Sequence, residues 1–239
     1  MNIILFEKLE AENLLDMKDE RARHIKKILK LKEGDSFSAG VINSKKGIAT
    51  IIEINKEYIR FSFKENDEEI KKLYPLTLLI SYVRPICMKR IFREAISLGV
   101  ETIVLFNSDT GEKSYARSNF YVKEEYRKVL IDGAMQAAET PISEVKCVKN
   151  LNEALKLFDT SYDKVLLDNV IKGDSLKTYT VKNNKTVIAI GPERGFSNRE
   201  RDLFIDNNFT SFTLGNRVLR SETAACAAIT LTLSRMNLI

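Results

Sequence analysis

Two segments of this chain gather the side chains best suited to chemistry, and each begins where an apolar strand ends. The first runs Gly191-Pro192-Glu193-Arg194-Gly195-Phe196-Ser197 after Val187 to Ile190. The second follows Ser211 to Leu214 and runs Gly215-Asn216-Arg217-Val218-Leu219-Arg220-Ser221-Glu222-Thr223-Ala224. Glycines at 191, 195 and 215 let a backbone come close to a bound molecule. Arg217 and Arg220, three residues apart, offer guanidiniums to a developing negative charge, Arg220 the better placed because it precedes a helix start. Glu193 and Glu222 can orient those arginines or accept a proton, and a structural salt bridge or helix-terminal contact accounts for either equally well. Leu166, Leu167, Ile190, Leu214 and Leu219 supply apolar walls for a ligand slot.

The elements that position these residues follow from their neighbours. A Gly-Pro pair turns the strand at Ile190 into a loop. Ser197 with Glu200 three residues on is a capping box, which predicts a helix over Asn198 to Asn207 with Leu203 and Phe204 facing the core. The first loop therefore lies at the carboxyl end of a strand, the edge where open α/β sheets place ligands. After Glu222 the residues Ala224, Ala225, Cys226, Ala227, Ala228, Ile229, Leu231 and Leu233 leave a helix with hardly any polar face. That helix must be buried or lie in a subunit interface.

Other chemistries are excluded by what is missing. None of the ten glycines forms a Gly-x-Gly pair and no Gly-x-x-x-x-Gly-Lys segment exists, so dinucleotide and triphosphate cofactors are not expected. Cys87, Cys147 and Cys226 are odd in number and widely spaced in apolar contexts, which reads as reduced core residues; with one histidine in the chain, no metal is expected. No apolar run reaches membrane-spanning length, and the first residues lack a signal-peptide pattern, so the expected location is cytoplasmic with no membrane partner.

The 239 residues are 44% hydrophobic and 30% charged, with a net charge of +5. That is enough length for one large or two modest globular domains. Residues 1–72 read as short strands (Ile3 to Phe6, Asp35 to Gly40, Gly47 to Ile54, Tyr58 to Lys64) around one basic amphipathic helix within Met17 to Lys32, a small β-barrel. The helix carries Arg21, Arg23, Lys26, Lys27 and Lys30, with Ala22, Ile25, Ile28 and Leu29 at helical spacing. A solvated surface helix is the plainer reading; a phosphate-binding face becomes the better one for an RNA-binding protein, with His24 at its centre reading equally as an RNA contact or as a packed structural residue. Lys64 to Lys72 is a charged linker. From residue 73 to 239, strands at Leu76 to Val83, Thr102 to Phe106, Val145 to Val148, Lys164 to Leu167, Thr186 to Ile190 and Ser211 to Leu214 alternate with helical repeats. Those repeats are Met88, Ile91, Phe92, Ala95 and Val122, Tyr126, Val129, Leu130, Gly133, Ala137. The fold class is α/β with a parallel sheet covered on both faces.

These motifs together resemble the RsmE-type 16S rRNA uracil-N3 methyltransferases of the SPOUT superfamily. The family pattern is Gly-Pro-Glu-Gly-Gly-Phe-Ser with a Glu three residues later, then Leu-Gly-x-Arg-Ile-Leu-Arg-x-Glu-Thr-Ala. Gly191, Pro192, Glu193, Gly195, Phe196, Ser197, Glu200, Leu214, Gly215, Arg217, Leu219, Arg220, Glu222, Thr223 and Ala224 match it. His24 to Leu29, Gly34-Asp35, Glu94-Ala95, Leu98-Gly99-Val100 and Glu112-Lys113-Ser114 extend the likeness over nearly the whole chain. The resemblance implies a PUA-like RNA-binding barrel before a trefoil-knotted SPOUT domain that uses S-adenosyl-L-methionine on small-subunit rRNA or a 30S particle, as a homodimer. It implies cofactor contacts from Leu167, Ile190, Gly191, Glu193, Gly195, Leu214, Gly215, Leu219, Glu222, Thr223 and Ala224, and catalytic roles for Arg220, Arg217 and Glu222.

Two positions depart from the pattern. Arg194 replaces a usual Gly, so a left-handed backbone there would be strained, and the residue offers an extra cation to RNA. Gln136 to Pro141 lacks the family's Arg. Another SPOUT reaction, on a ribose hydroxyl or a different base, and a non-catalytic assembly factor are the alternative readings.

Overall fold

Alternating apolar and polar residues build the early strands, and near-continuous apolar runs build the later ones, in a computed structural model that describes residues 2–239. The chain divides into two units: residues up to Lys72 with Ala134–Ile142, and Leu73–Gly133 with Ser143–Ile239.

In the first unit, β1 (Ile4–Phe6), β2 (Glu12–Asp16), β3 (Ser36–Val41), β4 (Lys46–Ile54) and β5 (Tyr58–Glu65) make a half-barrel in the order β1-β3-β4-β5-β2. β1 runs parallel to β3, and the other pairs are antiparallel. Phe6 and Phe37 each stack 5.5 Å from Phe61 in its core. The sequence reading had no β2, because Glu12, Asn13 and Asp16 hide the alternation and Leu15 alone is buried there. Tertiary pairing with β5 makes it a strand.

The basic stretch is not one amphipathic helix. α1 (Glu20–Arg23) is a single turn, capped by the Asp19 carboxylate on the Arg21 N–H. His24–Ile28 then winds wider, with Leu29 N–H donating to His24 O five residues back. The extra residue rotates the phase. Ala22 and Ile25 stay buried while Ile28 is 67% and Leu29 39% exposed, and Lys30 ends the turn at φ 55°.

The second unit is a seven-stranded sheet of β6 (Tyr74–Ser81), β7 (Val100–Phe106), β8 (Glu144–Cys147), β9 (Tyr162–Leu167), β10 (Asp174–Ser175), β11 (Lys185–Ile190) and β12 (Thr210–Thr213). Its order is β10-β12-β9-β11-β6-β7-β8 and every pairing is parallel. β6 and β11 sit centrally and are buried on both faces. Pro75 lacks an N–H, and the β6–β7 register shifts beside it.

α2 (Pro85–Ser97) starts with proline at its first turn and buries Met88, Ile91, Phe92 and Ala95, the predicted repeat. The second predicted repeat is interrupted. α3 (Asn119–Val122) stops, Glu124 turns at φ 53°, and α4 (Tyr126–Ala137) begins afresh, leaving Val122 67% exposed. α5 (Leu151–Leu155) and α6 (Asn198–Asp206) bury Leu151, Ala154, Leu155 and Phe204 against Leu79, Phe106, Leu166, Val187 and Ala189. α7 (Ser221–Arg235) packs on α2, β6 and β11 and buries Ala225, Ala228, Ile229, Thr232 and Leu233.

Candidate active site

Both glycine loops, with the loops after β6, β7 and β9, enclose a cavity of about 910 Å³ in the second unit. It lies at the carboxyl ends of β9, β11 and β12, the edge the sequence pointed to. The first loop owes its shape to α6. Ser197 and Glu200 form the reciprocal capping box. Phe196 stacks 4.8 Å from Phe204, which stacks 4.9 Å from Phe209. Gly195 takes φ 70°, while Arg194 keeps an ordinary backbone and lines the cavity. The left-handed turn falls one residue after the arginine, so the substitution of Gly by Arg costs no strain.

Glu200 does more than cap. Its buried carboxylate accepts from Ser197 N–H at 2.8 Å and Ser108 Oγ at 3.0 Å with one oxygen, and from Asp109 N–H at 3.0 Å with the other. Asp109 in turn takes a two-pronged bond from Arg199, 2.9 and 2.5 Å, and one from Ser197 Oγ at 2.6 Å. The Arg199 guanidinium holds the Asp109 carboxyl below the usual carboxylate range. Thr110 Oγ1 donates to Gly195 O at 2.5 Å. The loop after β7 is thus stitched to the first glycine loop.

A second anchor comes from Asp168, at the end of β9. One oxygen accepts from Val170 and Ile171 N–H at 2.6 and 2.9 Å, and the other pairs with Arg201 Nε at 3.1 Å. Both residues line the cavity. The sequence reading missed this pair, although a carboxylate closing the run Val165-Leu166-Leu167 was its signal.

In the second loop, Leu214, Arg217, Leu219, Arg220, Glu222 and Ala224 line the cavity, joined from elsewhere by Leu167, Ile190, Gly191, Glu193 and Gly195. Two expected cofactor contacts do not. Gly215 stands outside the lining, and a Cβ there would meet nothing within 4 Å; its φ of 105° is what demands glycine. Thr223 is exposed on the outer side of the first turn of α7. Arg217 and Arg220 are exposed and make no side-chain bond among the described residues.

The carboxylates do not orient those two arginines. Glu193 accepts from the backbone N–H of Arg84 at 3.4 Å, and Glu222 lies 3.7 Å from Arg90 and near Cys87. Both therefore face the first turns of α2, where the helix dipole favours negative charge. Burial, with Glu222 and Glu193 nearby, raises the Cys87 thiol. The same wall brings in Arg84 and Tyr115, also missed. Their signal was Arg84-Pro85, a helix start at the end of strand β6.

On the first unit, Arg23, Lys26, Lys27 and Lys30 are exposed and carry no ion pair among the described residues. Arg21 is different. It forks onto Asp19 at 3.0 and 2.7 Å, donates to Leu5 O at 2.9 Å and lies 4.5 Å over the Phe6 ring, so it serves this fold rather than standing ready for RNA. His24 is half-buried: its Nε2 is buried without a partner, and burial lowers its pKa. No group of three or more His, Cys, Asp or Glu able to hold a metal occurs among the described residues, and no helix there is long and apolar enough to cross a membrane.

Comparison with known proteins agrees with this architecture. Residues 69–233 match the family model of the RNA methyltransferase domain and residues 18–64 that of the RNA methyltransferase PUA domain. The chain is 35% identical over 240 residues to ribosomal RNA small subunit methyltransferase E 1 of Borreliella burgdorferi, covering 99% of each. It is 36% identical over 249 residues to ribosomal RNA small subunit methyltransferase E of Treponema pallidum, 99% of this chain and 92% of that one. Among solved structures, the methyltransferase E of Neisseria gonorrhoeae bound to S-adenosyl methionine superposes with a TM-score of 0.81 at 20% identity, covering 98% of this chain and 97% of that one. With both domains matched and relatives above 30% identity along the full length, the chain belongs to the ribosomal RNA small subunit methyltransferase E family.

Proposed function

We propose that this protein methylates N3 of a uridine in small-subunit ribosomal RNA, in the cytoplasm, with S-adenosyl-L-methionine as methyl donor. The observation that carries the reading is the single cavity formed by both glycine loops at the carboxyl edge of the parallel sheet. Its donor set suits that cofactor. Leu167, Ile190, Leu214 and Leu219 offer apolar walls to an adenine, Glu193 and Glu222 oppose the cationic amine and sulfonium, and arginines are present for a carboxylate. Gly191 makes the turn tight: a Cβ there would meet Gly195 and Phe196 at 3.4 Å.

The cofactor, when bound, supplies an electrophilic methyl group. The chain's own part is to hold the uridine in line with it and to ease loss of the N3 proton as the N3–C bond forms. Arg217 and Arg220, exposed on the cavity wall without protein partners, donate to the negative charge that spreads over the ring carbonyls. Glu193 and Glu222 hold the α2 wall in place. An unpaired or flipped-out uridine is required, since N3 lies on the pairing edge. Arg23, Lys26, Lys27 and Lys30 supply sequence-independent phosphate contacts. The connection from β11 to α7 is read as the trefoil knot of the superfamily, and the part of α7 left uncovered, around Ala227, Thr230 and Leu231, as a homodimer contact.

The test is a primer-extension scan of small-subunit rRNA from cells with and without the gene, because N3 methylation stops reverse transcription. Loss of one stop on deletion, restored by adding purified protein and cofactor to mutant small subunits, is expected. A missing ribose or other base methyl in nucleoside mass spectrometry points to another reaction, and an unchanged rRNA to a non-catalytic role.

A further inference from the structure

The residues already assigned do not fill the cavity wall. Arg84, Thr110, Glu112 and Tyr115 also line it, and they come from the loops after β6 and β7 rather than from either glycine segment. At about 910 Å³ the space stands near the top of the ~300–1,000 Å³ range of small-ligand sites, which leaves room for a second occupant beside a cofactor.

Among the cavity arginines Arg84 is the one held in place with donors to spare. Arg201 is bound to Asp168, and Arg194, Arg217 and Arg220 have no side-chain bond among the described residues. The Nε–H of Arg84 donates to the Tyr115 hydroxyl at 3.0 Å. Its two Nη groups have no protein partner, and no carboxylate lies within ion-pair distance of them, among the described residues. Backbone fixation adds to this, since the Arg84 N–H donates to Glu193 at the start of α2. A guanidinium with one edge tied down and the other vacant is a preorganised donor for a planar group that carries carbonyl oxygens and gains negative charge.

We propose that Arg84, aimed by Tyr115, binds the carbonyl edge of the target pyrimidine and stabilises its ring as N3 loses its proton to water. This rests on the reading of the cavity as an RNA methyltransferase site. Arg84 touches the substrate in this scheme; Tyr115 is a positioning residue.

The experiment measures tritium transfer from labelled S-adenosyl-L-methionine to small ribosomal subunits purified from a strain lacking the gene. Arg84→Ala keeps the backbone bond to Glu193 and removes an exposed side chain, so it folds. Its kcat should fall about 100-fold, the loss of one charge-stabilising donor, while calorimetric cofactor affinity stays within about twofold of the parent's. The rising limb of rate against pH should move to higher pH, and millimolar guanidinium should restore part of the rate. Tyr115→Phe should show a smaller loss, roughly tenfold, with the same pH displacement. An Arg84→Ala rate within about threefold of the parent overturns the proposal, as does a parallel loss of cofactor affinity, which makes Arg84 a cofactor contact. If the unsubstituted protein neither binds the cofactor nor transfers methyl, the broader reading fails instead, and the two failures are read separately.

Discussion

Replacing Glu200 tests whether one buried carboxylate holds the candidate site together. In Glu200→Ala three donors lose their acceptor at once: Ser197 N–H, Asp109 N–H and the Ser108 hydroxyl. The hydroxyl can turn to Thr110 Oγ1 at 3.3 Å, but the two backbone groups have no such recourse. At about 1–3 kcal/mol for each group left unsatisfied, the expected loss for these two part-buried N–H groups is roughly 2–6 kcal/mol. Glu200→Gln keeps the shape. Its amide oxygen, placed where it accepts from Ser197 and Ser108, leaves the NH2 against the Asp109 N–H, so one bond is lost for about 1–3 kcal/mol. Urea unfolding with unchanged m-values would rank the parent above Gln above Ala. Cofactor affinity by calorimetry should fall in the same order, because the bonds lost are those that join the loop after β7 to the first glycine loop. An alanine variant within about 0.5 kcal/mol of the parent, or stability loss without any loss of affinity, would refute the reasoning.

Asp109 is depressed by Arg199, so its contribution is present above the ordinary carboxylate pKa of about 4 and fades as pH falls through the lower folded value. Urea midpoints of Asp109→Asn should therefore trail the parent's at pH 6 and converge with them in strong acid; a constant gap contradicts this. Gly215→Ala should cost about 1–3 kcal/mol through its backbone conformation alone, with no steric clash, as read from unfolding curves. Changing Lys26, Lys27 and Lys30 to Glu should weaken RNA binding and flatten its salt dependence while calorimetric cofactor affinity holds; an unchanged salt slope removes this turn as an RNA face. Leu231→Arg should convert a dimer to a monomer in sedimentation at micromolar concentration, and a parent that is already monomeric and fully active refutes the dimer.

The site was far more legible than the surfaces around it. Ser197 and Glu200 announced α6 because a capping box is local chemistry, and the run Val187 to Ile190 announced a central strand because both its faces are buried. What failed was whatever depends on contacts distant in sequence. Ile28 and Leu29 carry the right spacing for a helix, yet the wider turn at His24 throws them outward. Arg21 looks like a free cation until Phe6 and Asp19 are seen around it. Arg84 and Tyr115 lie in different loops and Arg201 on α6, and their meeting at one cavity is a property of the sheet, not of any motif.

The nine residues Ala134–Ile142 that complete the first unit carry a consequence for how the protein is made. Asn2 and Ile3 donate backbone bonds to Met135 O, Asn43 donates to Thr140 O, and the Thr140 methyl sits where any side chain at Gly40 would have to go, 2.7 Å from its Cβ position. On the ribosome, residues 2–72 emerge long before this segment does. At about 5–20 residues per second the delay is roughly 3–14 s. Through that interval β1 is an edge strand without its cover, open to wrong pairing. The N-terminal unit therefore finishes folding only when α4 and the residues after it, to Ile142, have been synthesised, and a truncation after Lys72 removes part of this unit rather than isolating a domain.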